Sequence, residues 1–204
     1  MYKRQERPRV VGRNARIGVH GDTVTDPVVR IHSSTGAVGV GWSRIDRETA
    51  QGLIGADIAS LIDQRGTSEA GLPIDIPLWD LVAKQSNLPL YRLLGARGQN
   101  EVELYDGSVY IDDLDATDEE AVAIFREEVA TGNQFGYHNF KIKIGRGARW
   151  MPIQKGTDRD VQVIHTIREA AGPDAKILVD ANNGTTLNIA KEILTRTREA
   201  NLYW

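Results

Sequence analysis

Apolar positions along this chain follow two different rhythms, and the change comes near residue 100. Before it, β-branched runs at 28–32 and 37–42 flank Ser34-Thr35-Gly36, which predicts a hairpin. Helical spacing of Ile54, Ile58 and Ile62 then predicts one helix over 47–63, with Arg65-Gly66 as its stop. A second helix is predicted through 76–83, and a turn at 90–94 ends at Gly95, a residue able to take a left-handed cap. Gly95 to Asn100 reads as a linker.

After the linker, strand and helix patterns alternate strictly. Strands are predicted at 102–109, 139–144 and 176–180, and helices at 118–131, 158–171 and 185–200. Thr117 with Glu120 is a capping-box signal at the start of the first of these helices. Repeated βα units imply a parallel sheet, either doubly wound or a (β/α)8 barrel, so the fold class is α/β.

Composition narrows the classes of partner. Lys and Arg number 25 against 28 for Asp and Glu, a net charge of −3, which argues against nucleic acid as the main ligand. The basic run Lys3, Arg4, Arg7, Arg9, Arg13 and Arg16 is read as a solvated tail leading into a first strand. No apolar run is long enough for a membrane span. Cysteine is absent, which removes disulfides, thiolate metal sites and a cysteine nucleophile; a cytoplasmic location is the simplest fit.

Candidate chemistry sits at two strand ends. In residues 140–145 the period of two puts Lys141 and Lys143 on one face and Phe140, Ile142 and Ile144 on the other. Two lysines there are either solvated or placed where positive charge is needed at a barrel's C-terminal end. One strand later, Leu178, Asp180 and Asn182 share the inward face. Asp180 is then either a ligand for a hard cation such as Mg²⁺ or a cap for the next helix. The glycine-rich stretch 36–41 opens no helix and is not a dinucleotide loop. Asp112, Asp113 and Asp115 lack calcium-loop spacing and are read as favouring the following helix N-terminus.

Lys-x-Lys at one strand end followed by Asp-x-Asn at the next resembles the mandelate racemase/muconate lactonizing enzyme family of the enolase superfamily. The stretches GYHNFKIKIGRGARWM, GTDRDVQVIHTIREAAGPDAKILVDANNG and PLWDLVAKQSNLPLYRLLG carry the likeness. The resemblance implies an enolase-like N-terminal capping domain over 1–98, of α+β type. It implies the first part of a TIM barrel over 99–204, about three βα units, ending as the fourth strand begins. It further implies Mg²⁺-dependent removal of the proton alpha to a carboxylate, in a racemase, epimerase or dehydratase of a hydroxy or sugar acid. Lys143 matches the family's acid/base lysine, and Lys141 the neighbour that keeps its pKa low and helps hold the carboxylate. Asp180 matches the first Mg²⁺ ligand and Asn182 a substrate-side polar residue. His20, within a stretch at 15–25, aligns with the capping-domain loop that contacts substrate.

The family's later metal ligands lie beyond this sequence, which leaves two expectations. One is an enzyme to which this chain supplies part of the site, acting on a small-molecule carboxylate and forming a homo-oligomer. The other is a catalytically incomplete half-barrel that only self-associates or binds a partner.

Overall fold

Alternation at Val29 and Ile31 against Arg30 and His32 produces the middle strand of a three-stranded antiparallel sheet. The computed structural model describes residues 2–8, 12–16, 18–99 and 101–204, of which 2–8 are described as backbone. Strand β1 (Tyr2–Pro8) pairs with β2 (Thr23–His32), and β2 pairs with β3 (Val38–Trp42), with Val29 opposite Gly41 and Ile31 opposite Gly39. Lys3, Arg4 and Arg7 thus belong to a strand and not to a tail, because the backbone finds its partners on β2; Arg9, like Asn100 of the linker, lies outside the described residues.

The glycines of β3 have a packing cause. A Cβ at Gly39 would stand 2.1 Å from the carbonyl oxygen of Pro77, and one at Gly41 2.6 Å from Ile76. Their absence lets helix α3 (Asp75–Gln85) lie directly on the strand. The helix expected over 47–63 is instead two short ones, α1 (Arg47–Gly52) and α2 (Ile58–Leu61). Gly55 takes φ 82° between them, and Asp57 caps the second through the Ala59 N–H, so the apolar period survives a break in the helix. Residues 62–63 then pair with 66–67, and α4 (Leu90–Leu93) ends at Gly95 with φ 79°. Val29, Ile45, Leu61, Ile62, Ile74 and Leu78 form the core of this unit, which comprises Met1–Pro8 and Thr23–Asn100.

The second unit comprises Arg9–Asp22 and Glu101–Trp204. Residues 12–22, expected within the first region, therefore group with the second. Its centre is a parallel sheet of β4 (Asp106–Val109), β5 (Phe140–Lys143) and β6 (Ile177–Asp180), with β5 in the middle. Helices α5 (Asp118–Gln134), α6 (Ile153–Ala171) and α7 (Leu187–Arg196) follow the three strands in turn. Tyr203 donates its N–H to Ile177 and Trp204 accepts from Val179, so the last residues run beside β6. Phe125, Val129, Phe140, Ile142, Ile164, Ile167, Ile177 and Ile193 form the core, each burial worth about 1.5–3 kcal/mol against exposure. The Thr117–Glu120 capping box is formed at the start of α5. Among the described residues no helix is long and apolar enough to cross a membrane.

Candidate active site

Phe140 and Ile142 are fully buried against the helices, so strand geometry sends Lys141 and Lys143 to the opposite face. The parallel register sets Leu178 beside Lys141 and Asp180 beside Lys143. Lys143, 7% exposed, donates from Nζ to Asp180 Oδ2 at 2.5 Å, and Lys141 Nζ stands 3.9 Å from the same oxygen. Lys141 also lies 5.5 Å from the centre of the Tyr105 ring, a cation–π distance.

The electrostatics follow from this crowding. Burial, then the charge of Lys143, holds the Lys141 ammonium below its ordinary pKa, with Asp180 working against them. For Asp180 burial works upward. The bond from Lys143, the Asn182 N–H and the two ammonium charges outweigh it and hold the carboxyl below the usual carboxylate range.

Asn182 occupies the left-handed region at φ 46° and donates its N–H to Asp180 Oδ1 at 2.9 Å. Its amide nitrogen is 3.5 Å from Asp180 Oδ2, and its Oδ1 is buried without a hydrogen-bond partner among the described residues. The cap of α7 is Thr186, whose hydroxyl accepts the Ile189 N–H; neither Asp180 nor Asn182 performs that task. A carboxylate beside an unpartnered amide oxygen fits the donor chemistry of Mg²⁺. Among the described residues no group of three or more His, Asp or Glu is placed to hold a metal, so the donors here are fewer than the shell of about six oxygens that Mg²⁺ takes.

The structure brings Lys141, Lys143, Asp180 and Asn182 together; His20 joins a different group. Its Nε2 is 2.5 Å from Asn14 Nδ2, and its ring meets Tyr110 edge-on at 5.1 Å. The segment carrying it crosses the C-terminal ends of β5 and β6. Ala15 fills the space beside Gly145 and Gly184, and Trp150 Nε1 donates to the Asn14 carbonyl at 3.3 Å.

A buried ionic cluster beneath this rim escapes the sequence reading. Arg146 is fully buried, and donates from Nη2 to Asp113 at 2.8 Å and from Nη1 to Asp160 at 2.7 Å. Arg159 meets Asp113 at 2.8 Å and the exposed Asp118 at 2.6 Å. Asp113 therefore binds two guanidinium groups, which hold its carboxyl below the usual range against burial, and it does not serve the N-terminus of α5. Burial pushes Asp160 up despite its arginine. The available signal is helical: Asp160 lies on the same face as Ile164 and Ile167, where an unpaired charge is not tolerated. A concavity of about 1090 Å³ lies in the first unit, lined by residues such as Val29, Ile31, Ile45 and Leu53; none of the expected site residues borders it.

Residues 121–204 match the enolase C-terminal domain-like family model. D-galactarolactone cycloisomerase of Agrobacterium fabrum is 35% identical over 143 residues, covering 69% of this chain and 34% of that enzyme. Galacturonate dehydratase from Geobacillus sp., solved with D-galacturonate and 5-keto-4-deoxy-D-galacturonate, superposes with a TM-score of 0.87 at 40% identity. That match covers all of this chain and 55% of the other. A mandelate racemase/muconate lactonizing protein from Geobacillus sp. Y412MC10, solved with magnesium and tartrate, gives 0.83 at 39% identity, with 100% and 57% covered. The chain thus spans about a third of the length of the first and little more than half of the other two.

Proposed function

Because this chain belongs to the mandelate racemase/muconate lactonizing enzyme family of the enolase superfamily, we propose that the whole protein removes the proton alpha to a carboxylate. Its substrate is a hydroxy or sugar acid, and this chain carries part of the site. The observation that carries the reading is the triad of Lys143, Lys141 and Asp180. Two ammonium groups and one carboxylate oxygen meet within 2.5 and 3.9 Å at the ends of adjacent parallel strands. In this reading the three βα units, which follow an N-terminal capping domain in sequence, begin a (β/α)8 barrel, and the C-terminal strand ends are where such barrels place their chemistry.

Lys143 takes the α-proton on the nitrogen lone pair of its free-amine form and so becomes the ammonium that Asp180 faces; its burial keeps bulk water away from the transfer. Lys141 faces the same space and draws the substrate carboxylate by charge. Asp180, with Asn182 beside it, holds Mg²⁺. When bound, that ion supplies positive charge where negative charge builds on the carboxylate. Asn182 contacts substrate from the rim, whereas His20 stands apart with Asn14 and Tyr110. The named relatives that act on galactarolactone and galacturonate favour a sugar acid.

A second reading, an incomplete half-barrel that self-associates or binds a partner, is favoured by one observation. Asp180 is the one carboxylate within ion-pair distance of the two lysines among the described residues. Proton NMR in D₂O on the whole protein, with Mg²⁺ and a panel of galacturonate, galactarate and tartrate, separates the two. The first reading expects loss of an α-proton signal with at least one acid. Retention of every α-proton, with a concentration-dependent mass in sedimentation, supports the second.

A further inference from the structure

The chain immediately after Lys143 is held by more than its strand. Gly145 leaves β5 at φ 99°, a left-handed turn, and its N–H is donated to Asp160 Oδ2 at 2.8 Å. The Arg146 N–H points at the same oxygen at 3.3 Å, and the other oxygen of Asp160 accepts from the Arg146 guanidinium. One carboxylate of α6 therefore grips both the backbone two residues past Lys143 and the side chain three residues past it. The guanidinium's remaining edge, Nε and Nη2, lies on Asp113 from the loop after β4, which Arg159 of α6 grips in turn. Nη1 also stands 3.5 Å from the carbonyl oxygen of Lys143.

We propose that Arg146 is a positioning residue for Lys143. Through Asp113 and Asp160 it fixes the path of the chain leaving β5, and so fixes where the Lys143 ammonium stands against Asp180. The role of Lys143 rests on the proposed function; the clamp itself does not. The groups facing Arg146 are Asp113 and Asp160, with Asp112 and Glu128 in its field and the Phe125 ring 5.5 Å away. A bare core would be held as well by apolar side chains, since a buried ion pair loses much of its attraction to desolvation. What the guanidinium adds is a rigid fork joining carboxylates from two neighbouring βα units, a geometry that an ammonium cannot copy.

The test reads Lys143 without needing turnover. The full chain is treated at one fixed pH with a dilute amine-acylating reagent, and peptide mass spectrometry gives the labelling rate of Lys143 relative to exposed Lys191. Two variants are compared with the unaltered protein: Arg146→Lys, and Arg146→Met with Asp160→Asn. The second leaves Asp113 on Arg159 and strands no buried charge. Loosening of the strand end is expected to raise the Lys143-to-Lys191 ratio about five-fold or more in both, while far-UV circular dichroism stays native. Folded variants with the original ratio overturn the proposal, and so does loss of fold in both, which shows a role in the core alone. A raised ratio, with a whole protein that exchanges no α-proton, leaves the clamp standing and defeats the proposed function. Proton exchange with an unchanged ratio does the reverse.

Discussion

Glu128 on α5 has one carboxyl oxygen buried without a partner among the described residues, and it faces Asp112, Asp106 and Asp113. Burial first, then those three charges, pushes its pKa up to about 8 from an ordinary 4.5. The folded chain thus keeps a proton that the unfolded chain releases across that window. Stability from this group is full below about pH 4.5 and is lost as pH rises through about 8. Glu128→Gln is expected to match the unaltered protein near pH 4.5 and to exceed it by on the order of 1–3 kcal/mol at pH 8. Urea denaturation at the two pH values checks this; equal pH slopes in both proteins contradict it. Single residues differed in how plainly the sequence marked them. Lys141, Lys143 and Asp180 were readable because strand alternation and a parallel register fix their faces, whereas Asn182 lies past the end of β6 at φ 46° and stands beside Asp180 through its own N–H. Arg146 and Asp113 were not, since Arg146 opens a single 3-10 turn after β5 and Asp113 lies in irregular chain after β4, where no period says which way a side chain turns.

Elements were readable where one period ran unbroken and blurred where it did not. Helix α6 begins five residues earlier than its apolar spacing predicts, because Pro152 starts a helix that Ile153 enters while still exposed. The helix expected over 47–63 shows the opposite failure: Ile54, 81% exposed, supplies the period without being packed. The glycines of β3 lie in a hairpin that opens no helix, and their use is visible only from the helix lying on them. Gly39→Ala is expected to destabilise the chain by about 1–3 kcal/mol, since its Cβ meets the Pro77 carbonyl, which is backbone and yields only if α3 shifts. A thermal midpoint equal to that of the unaltered chain would show that α3 does not rest on β3 as described.

At the scale of the molecule, the switch from hairpin-and-helix to βα repetition near residue 100 is the strongest signal in the sequence. It follows from the chain's own chemistry, as a parallel sheet requires a crossover helix after each strand. The return of residues 12–22 to the second unit had no such signal: it depends on Ala15 filling the space beside Gly145 and Gly184, a contact between positions more than a hundred residues apart. The account as a whole stands on Lys143 as the group that moves the α-proton. The direct measurement is the rate of α-hydrogen exchange in D₂O, at saturating Mg²⁺, on whichever acid the protein accepts, comparing it with Lys143→Ala. The account predicts a fall of about 10²–10⁴-fold in the rate at saturating acid, with the variant still folded. Exchange at the original rate in folded Lys143→Ala would contradict it.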